Sequence, residues 1–441
     1  MNPINKEAYQ LLHDGALSLG VAERNGIRMD IPYCQRAMRH LESKEAKLSR
    51  TILDSKAGKA WKKMYGSTLK LGAVEQLRDV LKEVYDIRVK GSLDKGVLAT
   101  LDVPLVKQIL PYRKYVKARS TYLQGIINES IDGYLHPNFN LHTASTYRSS
   151  SSNPNFQNIP IRDPFVAKLI RRAFIPRPGN RIVEADYSGI EVRVAACYHK
   201  DPRMMRYLET GYDMHREMAA EIFQTKPEHV SKMMRYAAKN RFVFPIFYGS
   251  YYMQMGPDLW DAIDELSLTT ESGVPIKSHL KQKGIHEFSA FRDHIKEVED
   301  NFWNKKFRVY GQWKKKWWER YLKQGEFSMY TGFVCRGHMK KNEAVNFPIQ
   351  GSAFHCLLWS FITLTKELQQ RKMKAKLIGQ IHDSIVADVP DNEMDLYLRI
   401  LKEISTERIR EHWDWLVLPL EIEVEATEVN RSWYTKKEIT I

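Results

Sequence analysis

The chain has 441 residues, 43% of them hydrophobic, which supports more than one core and excludes general disorder. Lysine and arginine outnumber the acids by 68 to 53, a formal charge of +15 that points toward a polyanionic partner. No run is long and apolar enough to span a membrane, the N-terminal MNPINKEAYQLLHDG lacks the apolar centre of a signal peptide, and Cys34, Cys197, Cys335 and Cys356 fit neither a zinc spacing nor a disulfide framework.

From about Pro32 to Ser55, Cys34, Met38, Leu41, Ala46, Leu48 and Ile52 recur at helical intervals with Arg36, Lys44, Lys47 and Arg50 between them. The spacing predicts an amphipathic helix with one positive side. Leu71–Tyr85 reads as a second helix, and Pro104–Asn128 as a third, dense in Lys107, Arg113, Lys114, Lys117 and Arg119. Such helices can clasp a duplex through its phosphates, although for any one of them a solvated charged face is the simpler reading. Asp132–Pro160 is rich in Asn, Ser, Thr and Pro and reads as an extended, loop-rich segment.

Arg181–Tyr187 is a short apolar strand that reaches an acid at Asp186, and Ile190–His199 follows as a helix. Met204 to about Lys323 is mainly helical, interrupted by a polar loop at Leu268–Gly284. Trp313 and Trp317, on one helical face of a lysine-rich run, suit either stacking on single-stranded bases or buried packing, and packing is the expected outcome. Two apolar runs, Leu377–Ile381 and Ile385–Val389, flank His382-Asp383-Ser384 and predict strand, turn and strand. Asp391–His412 reads as a helix, and the alternation in Leu418–Glu425 as a half-buried strand.

Asp186 at a strand end and Asp383 in a hairpin turn are fixed carboxylates. Taken singly, each is an ordinary turn residue. As a pair they have the chemistry to hold two Mg²⁺ ions, which prefer oxygen ligands and leave positions open for phosphate.

Five segments then carry a family resemblance. VEADYSGIEVRVAA (Val183–Ala196) resembles the first palm motif of family A DNA polymerases, the bacterial polymerase I group, and QIHDS (Gln380–Ser384) resembles the group's carboxylate hairpin. RYAAKNRFVFPIFYG (Arg235–Gly249) resembles its nucleotide-binding finger helix, TYRSSSSNPNFQNIP (Thr146–Pro160) its primer–template loop, and NFPIQGSA (Asn346–Ala353) its Asn-x-Pro-x-Gln-Gly element. Weaker similarity lies in Arg24–Asp30, Ser120–Leu123 and Leu418–Val424.

The resemblance implies an α+β right-hand polymerase fold with an antiparallel-sheet palm, helical fingers and a helical thumb. It divides the chain into an N-terminal segment (1–20), thumb (21–130), first palm part (131–202), fingers (203–338) and second palm part (339–441). It implies a DNA-dependent DNA polymerase that adds dNTPs to a primer 3′ end, with two Mg²⁺ ions for which Mn²⁺ can substitute. Asp186, Asp383 and the backbone carbonyl of Tyr187 match the metal ligands, and Glu191 matches the gate against the ribose 2′-hydroxyl. Arg235, Lys239 and His215 match triphosphate contacts, Lys239 also as a proton donor to the leaving pyrophosphate. Tyr248 belongs to the nucleotide site. Arg148, Gln157, Asn158, Asn346, Gln350 and His382 match primer–template contacts, chemically suited to the minor-groove acceptors that every base pair presents.

The sequence departs from the family pattern at four places. The stacking aromatic falls one residue late, on Phe244 with Phe242 as the alternative, which implies one inserted residue held as a helix bulge. Asn342 stands where many relatives carry an arginine, Gly189 replaces a common glutamine, and Ser384 replaces a common glutamate, so a third carboxylate beside Asp383 reads as dispensable. The rivals are a single-subunit RNA polymerase, which Glu191 opposes, and a catalytically silent DNA-binding or processivity module, which the retained aspartates, Arg235 and Lys239 oppose. Too few residues precede the thumb-like segment for a 3′–5′ exonuclease domain, so no intrinsic exonuclease is expected: either a separate protein supplies it or this chain was cut from a longer one. A separate exonuclease or replisome proteins are candidate partners, a membrane is not, and the bacterial or phage-infected cytoplasm is the expected setting.

Overall fold

The computed structural model describes residues 2–161 and 163–441. A five-stranded antiparallel sheet forms its centre, built from β1 (Asn180–Tyr187), β2 (Lys376–Ile381), β3 (Ser384–Pro390), β4 (Ile422–Ala426) and β5 (Lys437–Ile439) in the order β5–β4–β1–β3–β2. β1 lies in the middle and is hydrogen-bonded along both edges. The pleat sends Val183, Ala185 and Tyr187 into the core and Glu184 and Asp186 to the opposite face.

The strand expected over Leu418–Glu425 is shorter at its start. Pro419 has no N–H for a ladder, and its carbonyl instead accepts from Arg193 Nη1 at 2.9 Å. β5 was not foreseen, because three residues of Lys-Glu-Ile carry no readable pattern.

The chain opens with α1 (Lys6–Asn25), capped by the Asn5 side chain, which accepts from Ala8 N. It runs unbroken through residue 20, where the sequence suggested a boundary. It docks on β2, where Asn25 Nδ2 donates to the Leu377 carbonyl at 2.9 Å. α2 (Ile31–Asp54) has Asp30 as its cap and Pro32 in its first turn, as the sequence predicted within a residue. α3 (Pro104–Lys117) continues through a π-helical turn and a further helical segment to Glu129. Arg119 and Glu45 tie α3's extension to α2 by a pair at 2.8 Å. Between α2 and α3 three shorter helices, Lys56–Tyr65, Val74–Tyr85 and Lys95–Ala99, build a second hydrophobic core around Trp61, Leu77, Leu81, Leu98 and Ile109, distinct from the main one.

After β1, Gly189 takes a left-handed conformation (φ +58°) that turns the chain into α4 (Ile190–His199). A helical lobe follows, including α5 (Met214–Ile222), α6 (Lys232–Ala238) and α7 (Arg308–Gln324). The expected loop at Leu268–Gly284 holds a short helix, Ile276–Gln282. Ile276 and Leu280 bury one turn apart, a pair too short to stand out among polar neighbours.

α8 (Lys341–Gln370) is 30 residues long, about 45 Å, and buried residues recur from Ala344 to Leu368. Tyr187 donates or accepts against Ser360 of this helix at 2.7 Å, fixing α8 to the core face of β1. Gly15 of α1 sits close against α8, since a Cβ there would lie 2.8 Å from Leu358. Pro348 cannot donate to the carbonyl one turn back, and that Ala344 carbonyl accepts from Trp317 Nε1 at 3.0 Å instead. Trp313 packs on Tyr198, Tyr310 and Trp317, so the tryptophan run is used inward. Among the described residues, no helix is long and apolar enough to cross a membrane.

Candidate active site

The register of the sheet brings the two aspartates together. Ser384, next to Asp383, lies opposite Asp186, and the Asp383 carbonyl accepts from Tyr187 N at 3.1 Å. On the other edge of β1, Glu423 lies opposite Asp186. The turn between β2 and β3 is two residues long, with His382 in a left-handed conformation (φ +49°), so Asp383 is held by strands on either side.

These acids crowd each other. The Asp186 carboxylate remains open to solvent at the cavity, yet the protein around it excludes most bulk water. That loss of hydration, with Asp383, Glu184 and Glu423 nearby, pushes it up to about 7. Burial raises Asp383 as well, opposed by Arg148 and His382. Carboxylates forced together this way fit a divalent cation with oxygen ligands. Two carboxylates do not fill the coordination shell of such an ion, so the pair would leave positions for backbone oxygen, water and phosphate. The Tyr187 side chain is buried on the far face of the sheet, so only its backbone could take part.

Both aspartates border a cavity of about 340 Å³ whose walls include Tyr187, Glu191, Lys239, Phe244, Tyr248, Asn346 and Gln350. The opposite wall is a helix with a bulge. α6 ends at Ala238, Lys239–Val243 forms a π-helical turn, and Phe244–Phe247 resumes the α-helix. Pro245 follows the bulge and supplies no N–H to the turn before it. The consequence is a clear division between two phenylalanines. Phe242 is fully buried against Phe302, whereas Phe244 is 38% exposed at the cavity with Lys239 Nζ 5.2 Å from its ring centre.

His215 meets Phe244 edge-on at 5.9 Å. Burial, then Arg235 and Lys239, drive its imidazole down to about 4, so it is neutral at pH 7. Asp213 caps α5 and also accepts from Arg235 Nε at 2.8 Å. Burial raises the Asp213 carboxyl, but that hydrogen bond and the Arg216 N–H outweigh it and hold it below its usual range.

At the mouth, Glu191 accepts from Tyr248 Oη at 2.5 Å and pairs with Arg148. A second, larger cleft of about 940 Å³ holds Gln157, Asn158 and His382 beside Arg113, Lys114 and Lys117 of α3. Buried Gln380 ties the cleft residues Gln157 and His382 to Ser149. Its oxygen accepts from Ser149 Oγ at 2.6 Å and Gln157 Nε2 at 2.7 Å, and its amide donates to the His382 carbonyl.

The sequence profile of DNA polymerase family A matches residues 38–435. The chain belongs to DNA polymerase family A. It is 28% identical over 437 residues to DNA polymerase I of Chloroflexus aurantiacus, covering 92% of this chain and 41% of that one. It is likewise 28% identical over 430 residues to the thermostable DNA polymerase I of Thermus aquaticus, covering 94% and 47%. The chain thus spans less than half the length of these relatives. Among solved structures, the POL domain of Pol1 from M. smegmatis in complex with DNA primer-template and dNTP superposes with a TM-score of 0.73 at 22% identity, over 96% of this chain and 70% of that one. The fold is the family's right-hand polymerase fold.

In this family A chain, the site residues expected from sequence fall into three groups. Nine line the first cavity: Asp186, Tyr187, Glu191, Lys239, Phe244, Tyr248, Asn346, Gln350 and Asp383. His215 and Arg235 stand just behind Phe244 and Lys239, while Arg148 bridges to Glu191. Gln157, Asn158 and His382 sit in the neighbouring cleft, separate from Asn346 and Gln350. Glu423 and Gln380 were missed as site residues. The alternation in Leu418–Glu425 marks Glu421, Glu423 and Glu425 as one face, but only the β1–β4 register selects Glu423 as the neighbour of Asp186.

Proposed function

We propose that the chain is a template-directed, DNA-dependent DNA polymerase that adds dNTPs to a primer 3′ end by two-metal phosphoryl transfer. The observation that carries this reading is the single cavity with Asp186 and Asp383 on one wall and Lys239 and Phe244 on the other. Asp186, Asp383 and the Tyr187 carbonyl would hold two Mg²⁺ ions, or Mn²⁺ in their place. When bound, such ions lower the pKa of the attacking hydroxyl and stabilise the departing pyrophosphate. Lys239 and Arg235 bind the triphosphate, Arg235 exchanging its Asp213 partner for phosphate, and Lys239 is placed to give a proton to the leaving group. Neutral His215 donates a hydrogen bond to a phosphate oxygen without adding a charge.

Phe244 packs against the nucleotide, and Glu191, steadied by Tyr248 and Arg148, closes the space beside the sugar C2′. Arg148, Gln157, Asn158, Asn346, Gln350 and His382 contact primer–template, and the α2–α3 arm grips its phosphates. The functional boundaries are those of the sequence reading: 1–20, thumb 21–130, palm 131–202 and 339–441, fingers 203–338. The setting is the cytoplasm of a bacterium or of a phage-infected host.

A primer-extension assay with dNTPs or rNTPs, with Mg²⁺ or EDTA, tests the reading. Extension with dNTPs and Mg²⁺ alone supports it, and its absence defeats it. In the same assay Glu191→Ala is expected to raise rNTP incorporation about tenfold or more relative to dNTP, since a gate contact of a few kcal/mol is removed. Unchanged rejection would remove Glu191 as the gate.

A further inference from the structure

The finger helix ends at Phe247, and Tyr248 and Gly249 leave it with their carbonyls outside its own ladder, as helix ends do. Both carbonyls are taken by one face of α8. Asn346 Nδ2 donates to the Tyr248 carbonyl at 3.1 Å, and Asn342 Nδ2 donates to the Gly249 carbonyl at 3.2 Å. Asn342 and Asn346 are one helical turn apart and therefore neighbours on that face. The approach is close. Gly249 has φ +94°, and a Cβ on it would lie 2.4 Å from the Asn342 side chain. The segment so held carries Tyr248, whose hydroxyl donates to Glu191.

We propose that Asn342 is a positioning residue that latches the C-terminal end of the finger helix to α8 and so sets the placement of Tyr248 and of the dNTP pocket. This rests on the polymerase reading for its effect on nucleotide binding, but the latch itself is a property of the fold. At this position the residue acts on the fingers through the protein backbone, whereas a primer contact would act through the DNA. An amide is the group required: it donates to a carbonyl at hydrogen-bond distance, is uncharged, and is short enough to sit over a glycine.

The test uses Asn342→Leu, which keeps the volume and removes the donor. Deuterium uptake by the DNA-free protein over residues 244–251 is expected to rise in Asn342→Leu, by about fivefold in the exchange rate of the slowest amides there, the loss of one neutral hydrogen bond. In extension assays the KM for correct dNTP is expected to rise about fivefold, with kcat and the primer–template Kd within twofold. Gly249→Ala, which displaces the Asn342 side chain from the other partner, is expected to give the same pattern. Unchanged deuterium uptake overturns the latch, whether or not the protein extends primers. A raised primer–template Kd with unchanged KM for dNTP overturns it also, making residue 342 a DNA contact. Faster exchange in a protein that extends no primer keeps the latch and defeats the polymerase reading.

Discussion

Alanine at Asp186 or at Asp383 is expected to lower single-turnover primer extension by about a thousandfold or more, with primer–template affinity nearly unchanged. Each carboxylate is fixed by the sheet, Asp186 at the end of a strand paired on both edges and Asp383 in a two-residue turn. Ser384 supplies no charge, and Glu423 faces Asp186 from the other edge of β1. Residual extension above a hundredth of the parent rate would mean that Glu423 or another acid substitutes, and the two-carboxylate site would be wrong.

The same crowding predicts an opposite effect on stability. The folded Asp186 carboxyl titrates near 7, above its unfolded value, so the folded state binds more protons between about pH 4 and 7. Stability from this group is therefore lost as pH rises through that window, and the full penalty stands above 7. Asp186→Asn removes the charge and is expected to strengthen the metal-free protein at pH 8 but not at pH 4. Hydrogen exchange of the β1 and β3 amides at the two pH values measures the difference, and Mg²⁺ should narrow it at pH 8 by stabilising only the parent. Equal protection of variant and parent at pH 8 would contradict the raised pKa.

The second large effect separates two phenylalanines on one bulged helix. Phe244→Ala is expected to raise the KM for dNTP about tenfold or more while leaving the fold intact, because a stacking surface of 1–3 kcal/mol is lost from the cavity wall. Phe242→Ala removes a fully buried ring from a cluster with Phe302 and should cost about 3–5 kcal/mol of stability. Kinetics and denaturant unfolding of the two variants give the answer. Were Phe242→Ala to carry the KM defect and Phe244→Ala the stability defect, the bulge would be oriented the other way.

Much of this was legible in the sequence because the signals were local. The helical recurrence of apolar residues placed α2 within a residue, α4 was read at its observed bounds, and the apolar runs beside His382-Asp383 drew the hairpin. The extra residue between Lys239 and Phe244 implied a bulge, and a π-helical turn occupies those positions. What was hidden depends on partners distant in the chain. Glu423 meets Asp186 only through register, and Gln380 is a hub only once Ser149 and Gln157 fold over it. Asn342 looked like a missing arginine until Gly249 stood beside it. The helix Ile276–Gln282 and strand β5 were lost for a different reason: each is too short to show a period.

The arm formed by α2 and α3 ends in a cluster around Trp61 that shares none of its buried residues with the main core. Heat or denaturant is therefore expected to act on two cooperative units joined by a pair of helices. One melting temperature does not describe such a chain, since the smaller unit can open while the sheet stays closed. Any change in the Trp61 cluster, stabilising or not, is expected to register there first, with the amides of β1 reporting on a different equilibrium.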